Sequence, residues 1–344
     1  MKSNNLNKYF CLEDKVKGVK MNKKDLVKKI IRIKWPQAKI KSIKEFAEGY
    51  NNVAYDVKLD GGDYVIKLLK IKGYEKYVLK QNHVRTKIRK KFKNFPIPKI
   101  IKSDFSKKIV DKPYIIAEKI AGDSLQSLYK KVQNKEEVYE EIGELYGKMH
   151  SFRFKNYGEL DSSLNLVKEY KNWYSKKCNE VKKIFKKIEE NRLLSQKTLK
   201  INKDFFEKNK LLFKREIGPC LCHGDAANSN ILINKSSKKY EVSGIIDFEF
   251  ARSSGAFHEL FSGLRSFEKK YKYKENLIAG YTKWNKLPKG WEELIFLYNW
   301  VGHLNQLTRI NGMKWRNLNE RDTLNRKRKL RTKSLLSLKE IIKR

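Results

Sequence analysis

Leu221-Cys222-His223-Gly224-Asp225-Ala226-Ala227-Asn228-Ser229-Asn230-Ile231-Leu232-Ile233 is the stretch on which the reading of this chain turns, together with Gly244-Ile245-Ile246-Asp247-Phe248-Glu249 shortly after it. An apolar run leads into a His-Gly-Asp turn. Four residues separate Asp225 from Asn230. A short strand follows, then a polar turn at Ser236-Ser237-Lys238-Lys239, then a second strand that delivers Asp247. The result is a loop, a hairpin and a second acid. If Asp247 and Glu249 lie on one strand, both point to the same face. Glu249 then reads equally as a second metal contact or as a buried structural acid.

Working outward, the segment before this loop is mostly helical from Gly122 onward. Leu125, Leu128, Tyr129 and Val132 mark one helical face, and Val138, Ile142, Leu145, Tyr146 and Met149 mark another, ending at His150. Val167, Tyr170, Tyr174, Val181, Phe185 and Ile188 recur mostly at intervals of three and four, which predicts one long amphipathic helix. A further helix is expected over about 199–213. After Asp247, helices are expected near 257–269, 275–284 and 291–310. The N-terminal region differs. A helix over 23–34 stops at Trp35-Pro36. Strands then fit 40–46, 53–59 and 64–69, with Asp60-Gly61-Gly62-Asp63 as a hairpin signal. A charged helix fits 74–92, and strands fit 99–104 and 113–118. The fold class expected is α+β and two-lobed, with a small antiparallel-sheet N-lobe and a mostly helical C-lobe. The division is a basic arm over 1–20, an N-terminal lobe over 21–118, a helical lobe over 119–320 with a helical insert at about 160–215, and a basic tail over 321–344.

The chain has 344 residues, enough for a sizeable core, and its apolar content is that of a folded protein. No run approaches the length of a membrane span. Met1 to Lys20 lacks the apolar core of a signal peptide, so a cytoplasmic location is expected. With 79 Lys and Arg against 39 Asp and Glu the net charge is +40. Two readings follow: a lysine-rich composition without a dedicated partner, or attraction to RNA or another polyanion. A polycationic substrate would be repelled unless its pocket were locally acidic. The four cysteines are irregularly spaced, and free thiols are expected. Cys220 and Cys222 form a CxC beside the loop, but a zinc reading needs more Cys or His nearby.

The acid–amide–acid set suits phosphoryl transfer, in which the metal must be held and the acceptor hydroxyl aimed. Asp225 is the candidate that aims the hydroxyl and takes its proton. Asn230 offers a carbonyl oxygen and Asp247 a carboxylate to Mg²⁺, which prefers hard oxygens. Lys67 lies inside the apolar run Tyr64-Val65-Ile66-Lys67-Leu68-Leu69, either as a phosphate contact or as the polar position of an edge strand. Gly49, Asn51 and Asn52 join two strands and read as a plain turn or as a loop over phosphates. Glu118 and Ile120 flank a linker whose backbone suits an adenine. His223 reads as a group that holds the loop by hydrogen bonds, His150 as a core or capping histidine, and Glu259 as structural. Trp173, Tyr174 and the Trp284–Trp300 region read as core before pocket.

At these residues the chain resembles the aminoglycoside phosphotransferase and choline kinase-like family, with its protein-kinase-like fold. His223-Gly224-Asp225 with Asn230, and Ile246-Asp247-Phe248-Glu249, carry the resemblance over roughly residues 40–310. Glu48-Gly49 with Asn51-Asn52, Lys67, Pro96-Ile97-Pro98, Glu118 with Gly122, and Met149-His150-Ser151 support it. The resemblance implies ATP bound between two lobes, Asp225 as catalytic base, Asn230 and Asp247 as magnesium ligands, and Lys67 as the phosphate-contacting lysine. It also implies an acidic partner for Lys67 on the following helix. His83 falls near that place, and Glu75 is the only acid on the helix. Ala226-Ala227 leave the acceptor undeclared. A sugar, amino alcohol or related metabolite is favoured over an aminoglycoside on grounds of charge. An RNA kinase and a non-catalytic nucleotide-binding protein are the alternatives.

Overall fold

The computed structural model describes residues 22–48, 51–70, 73–262, 272–312 and 319–343. Two compact units result, one formed by residues up to Ile71 with Lys102–Ile116, the other by Lys72–Ile101 with everything from Ala117. Gly49 lies outside the described residues, as do the expected arm over 1–20 and residues 263–269 of the helix expected near 257–269.

The first unit opens with helix α1 (Lys23–Lys34). Its buried stripe is Leu26, Val27, Ile30 and Ile31, and its start is capped by the Asn22 side chain. A five-stranded sheet follows in the order β1-β2-β3-β5-β4. Its strands are β1 (Ile40–Glu48), β2 (Asn52–Leu59), β3 (Gly62–Leu69), β4 (Ile100–Asp104) and β5 (Tyr114–Glu118). The first three pair antiparallel, and Lys67 stands opposite Ala54. Strand β3 therefore has a neighbour on each side, and the edge-strand reading of Lys67 fails. Lys67 is half-buried between the buried Ile66 and Leu68.

The second unit contains α2 (Glu75–Lys91), β6 (Asp123–Ser124), α3 (Leu125–Leu128), α4 (Lys135–His150), β7 (Tyr157–Leu160) and β8 (Leu166–Tyr170). Helices α5 (Trp173–Glu190) and α6 (Gln196–Asn209) come next, then β9 (Cys220–Cys222), β10 (Ile231–Ser236), β11 (Lys239–Ile245) and β12 (Arg252–Ser254). The chain ends in α7 (Ala256–Ser262), α8 (Lys274–Thr282), α9 (Trp291–Arg309) and α10 (Glu320–Lys343). Helices α4 and α8 pack at backbone distance. A side chain on Gly143 would stand 2.0 Å from the Leu277 carbonyl oxygen, and one on Gly280 would stand 1.8 Å from that of Glu140. Among the described residues no helix is long and apolar enough to cross a membrane.

Two features depart from the expected helical pattern. The long helix expected from Val167 is instead strand β8 followed by α5. Asn172 breaks the period: its side chain accepts from the Ser175 amide and starts the helix there. Residues 157–170 pair as β7 and β8 and join β12 and β9 in the order β8-β7-β12-β9. A second small sheet runs β11-β10-β6. The basic tail is the helix α10, docked by Ser334, Leu338 and Ile341, and the Ser334 hydroxyl donates to Gln306 at 2.8 Å. Trp173 and Trp300 belong to the core, with indole N–H groups donating to Tyr298 and Asn202. Trp284 is exposed.

Glu216 shows how this unit holds buried charge. It accepts from the amides of Ile217, Phe257 and His258 at 2.9, 2.8 and 3.1 Å and from the Tyr298 hydroxyl. Burial pushes its carboxyl up to about 7 against those four donors, from an ordinary 4.5. A carboxyl raised in the native state contributes stability that is full below pH 4.5 and is lost as pH rises through 7. The Tm difference between wild type and Glu216→Gln should therefore change between pH 5 and pH 8, with wild type losing relative stability at the alkaline end. A pH-independent difference would contradict this assignment.

Candidate active site

The loop begins where β9 ends. Antiparallel pairing to β12 sets Cys222 opposite Arg252 and Cys220 opposite Ser254, so the strand enters the loop along a fixed line. The alternation of a strand turns both cysteines to one face, and all three residues of β9 are buried.

His223 is fully buried, and both ring nitrogens are engaged. Nε2 donates to the Ile246 carbonyl at 2.7 Å, which leaves Nδ1 to accept from the Asp225 amide at 3.2 Å. The ring also lies 4.4 Å, centroid to centroid, from Phe248. With no nitrogen left for a substrate, His223 ties the loop to the residue just before Asp247.

Gly224 has φ of +83°, and a side chain there would meet the Phe250 carbonyl oxygen at 2.0 Å. Only glycine fits. The buried Glu259 of α7 accepts from the His223 amide at 2.8 Å and from the Gly224 amide at 2.6 Å. Its Oε2 also pairs with His150 Nε2 at 3.0 Å. Burial alone would raise this carboxyl. The His150 bond, the neighbouring His223 and the Gly224 amide outweigh that and hold it below the ordinary range. Arg252 closes the other side, with Nη2 donating to the Gly224 carbonyl at 3.0 Å. No periodic or motif signal in the sequence marks Arg252 or Glu216.

Asp225 is exposed at the end of this clamp. Asn230 is buried and donates Nδ2 to the Asp225 carbonyl at 2.8 Å and to its Oδ2 at 3.0 Å. Among the described residues, none donates a hydrogen bond to Asp225 Oδ1. Because the Asn230 amino group faces two oxygens, its carbonyl oxygen is the atom turned the other way. The Asn230 backbone carbonyl accepts from the Ile246 amide at 3.0 Å. Asp225, Asn230 and the approach to Asp247 are thus one hydrogen-bonded unit. The buried Asn228 braces it, reaching the Tyr139 hydroxyl at 3.3 Å.

Strand β11 stops at Ile245, so Asp247 does not lie on it. Asp247 is half-buried in a left-handed conformation, φ +65° and ψ 54°, and Phe248–Phe250 form a 3-10 turn. The expectation that Asp247 and Glu249 share one strand face is therefore overturned. The turn separates them, since the chain must leave the sheet to bury Phe248.

The other expected site residues lie as follows. The Asn51 carbonyl accepts from the Lys70 amide at 2.9 Å, and Asn52 opens β2 opposite Leu69. The exposed Glu118 accepts from the Lys99 amide at 3.1 Å. The Ile120 side chain packs against Gly244, where an added Cβ would meet it at 2.6 Å. Glu75 is exposed on the first turn of α2, and His83 Nδ1 bonds the Ser162 carbonyl.

Asn230 and Asp247 could each offer a hard oxygen to a metal ion, the donor type that Mg²⁺ prefers. A family model described as the phosphotransferase enzyme family matches residues 42–297. Among solved structures, the chain is similar to aminoglycoside phosphotransferase APH(4)-Ia at 14% identity and a TM-score of 0.60, covering 93% of this chain and 98% of that one. It is also similar to the GDP complex of aminoglycoside 2'-phosphotransferase-IIIa at 15% identity and a TM-score of 0.61, covering 93% and 99%. A ternary complex of a thermostable APH(4)-Ia mutant with AMP-PNP and hygromycin B matches at 14% identity and a TM-score of 0.59, covering 92% and 98%. No curated protein sequence matches the chain.

Proposed function

The chain belongs to the phosphotransferase enzyme family, and from that premise we propose that it moves the γ-phosphoryl group of ATP, with Mg²⁺, to a hydroxyl of a small metabolite such as a sugar or an amino alcohol. The observation that carries the residue roles is the Asp225–Asn230 pair. Asn230 fixes one carboxylate oxygen of the exposed Asp225, and the other is the one proposed to receive a hydroxyl proton. In a loose phosphoryl-transfer transition state, a weak base suffices if it is well aimed. His223 cannot take that role, since both nitrogens are spent on the loop.

In this reading Asp225 orients the acceptor hydroxyl and accepts its proton at Oδ1. Asn230 Oδ1 and the Asp247 carboxylate would hold Mg²⁺, which supplies charge neutralisation to the phosphates when bound. Lys67 is the proposed phosphate contact, consistent with its half-buried position inside the sheet. Asn51 and Asn52 flank the turn proposed to cover the phosphates, together with Gly49. The backbone between Glu118 and Ile120 is the proposed adenine contact.

Charge supports the acceptor class. The chain carries +40, and Arg252 and Lys80 both bond the backbone beside the loop, at Gly224 and Ala251. Burial, with Lys76 and Arg252 nearby, holds the Lys80 ammonium below its ordinary range despite Glu159 and Asp161. A polycation would meet repulsion there. The similar solved structures are aminoglycoside phosphotransferases, and at 14–15% identity that likeness carries the fold alone.

The test is transfer of label from γ-labelled ATP into a panel of sugars, amino alcohols, hydroxy acids, aminoglycosides and bulk RNA. Label is expected in a small alcohol of the panel, a sugar, an amino alcohol or a related metabolite. Label confined to aminoglycosides or to RNA would overturn the acceptor class. No transfer, together with no rise in Tm on adding MgATP, would overturn the residue roles.

A further inference from the structure

Cys220 and Cys222 were brought to one face of β9 by the alternation of a strand, and their sulfurs lie 3.7 Å apart. Helix α4 supplies what the CxC lacked in sequence. Its last residue, His150, is fully buried, and its ring nitrogen and the two sulfurs all lie within 4.8 Å of one another. The spacing fits a known coordination geometry. Two thiolates bound tetrahedrally to zinc at about 2.3 Å stand about 3.8 Å apart.

The histidine is already oriented as a ligand. Its Nε2 faces Glu259 Oε2 at 3.0 Å, so a neutral ring donates there and keeps its lone pair on Nδ1. Nδ1 is buried and makes no hydrogen bond among the described residues. A buried imidazole nitrogen without a partner is costly unless something accepts its lone pair. A carboxylate on the far nitrogen is the arrangement that orients a metal-binding histidine and strengthens it as a donor. A second buried group in the same neighbourhood lacks a partner, the Tyr281 hydroxyl, whose ring lies 5.7 Å from that of His150.

We propose that Cys220, Cys222 and His150 bind one structural zinc ion, with the Tyr281 hydroxyl oxygen in the fourth position. Charge balance favours this ion. Binding releases one proton from each thiol, and Zn²⁺ with two thiolates and two neutral ligands is uncharged, as a fully buried centre must be. The thiols meet the Ser254 and Gly255 carbonyls at 3.4 and 3.7 Å, weak bonds that metal binding replaces. The site also has a structural reach. His150 bonds the same Glu259 that receives the His223 and Gly224 amides, so the ion would brace the loop through one shared carboxylate.

The experiment is elemental analysis of the intact purified chain, with no use of phosphoryl transfer as a readout. Close to one zinc per chain is expected in wild type and close to none in the Cys220→Ser/Cys222→Ser double variant. Chain produced in cobalt-supplemented medium should show a thiolate-to-cobalt charge-transfer band, which also serves if the double variant fails to fold. Wild type without zinc, without that band and without a Tm rise when zinc is restored overturns the proposal. Zinc retained in full by the double variant overturns it equally, by locating the ion elsewhere.

Discussion

Asp225→Asn is expected to lower phosphoryl transfer by about a thousandfold, within the range typical of a lost proton acceptor. The fold should not notice the change. Asp225 is exposed, and an asparagine there keeps an oxygen for the Asn230 amino group. Its Tm should stay within the shift produced by about 0.5 kcal/mol. Thermal stabilisation by MgATP should persist, because the nucleotide and metal contacts proposed lie on other residues. The measurement is single-turnover transfer to the acceptor found in the panel, beside a MgATP titration followed by Tm. A variant that transfers at near wild-type rate would remove Asp225 from its role. One that also loses MgATP stabilisation would move it to the metal.

Glu259→Ala should have the largest effect on stability, about 3–5 kcal/mol, as expected when several buried donors are left without an acceptor at once. Three donors lose their acceptor at once: the His223 amide, the Gly224 amide and the His150 ring. On a chain of this size the fall in Tm should be on the order of 10 °C. Glu259→Gln should fare little better. Its amide has one oxygen for three donors and turns an amino group toward another. Transfer should fall in both variants, because Gly224 holds a backbone conformation that this carboxylate supports. A stability loss below about 1 kcal/mol in either variant would show that Arg252 and the β9–β12 pairing hold the loop unaided.

The loop from His223 to Asn230 was legible as a candidate site because its signal is local. His223, Gly224, Asp225 and Asn230 sit within eight residues, and the hairpin to Asp247 is marked by turn residues at 236–239. The sheet of the first unit was legible for the same reason, with Asp60-Gly61-Gly62 closing adjacent strands. What escaped is non-local. Strands β9 and β12 have three residues each, too short for a periodic signal, and they take shape by pairing with each other and, for β12, with β7. Arg252 acquires its place from that pairing. Residues 166–170 mimicked the helical period, and Asn172 decided otherwise by capping from within the run. Asp247 left its strand because Phe248 had to be buried, a demand of packing that alternation does not register. His150 and the CxC are some 70 residues apart, and only the fold reveals them as neighbours.

The clamp on Gly224 carries a consequence in entropy. Residues 223–225 are a loop by geometry, yet their three amides end on a buried carboxylate and on the His223 ring. Ordering a loop backbone costs about 1–2 kcal/mol per residue. Here that cost is met once, when the chain folds, by bonds that no substrate contributes. In the proposed role, Asp225 would meet its acceptor on a backbone already ordered, and the acceptor's own binding energy need not be diverted to stiffening the loop.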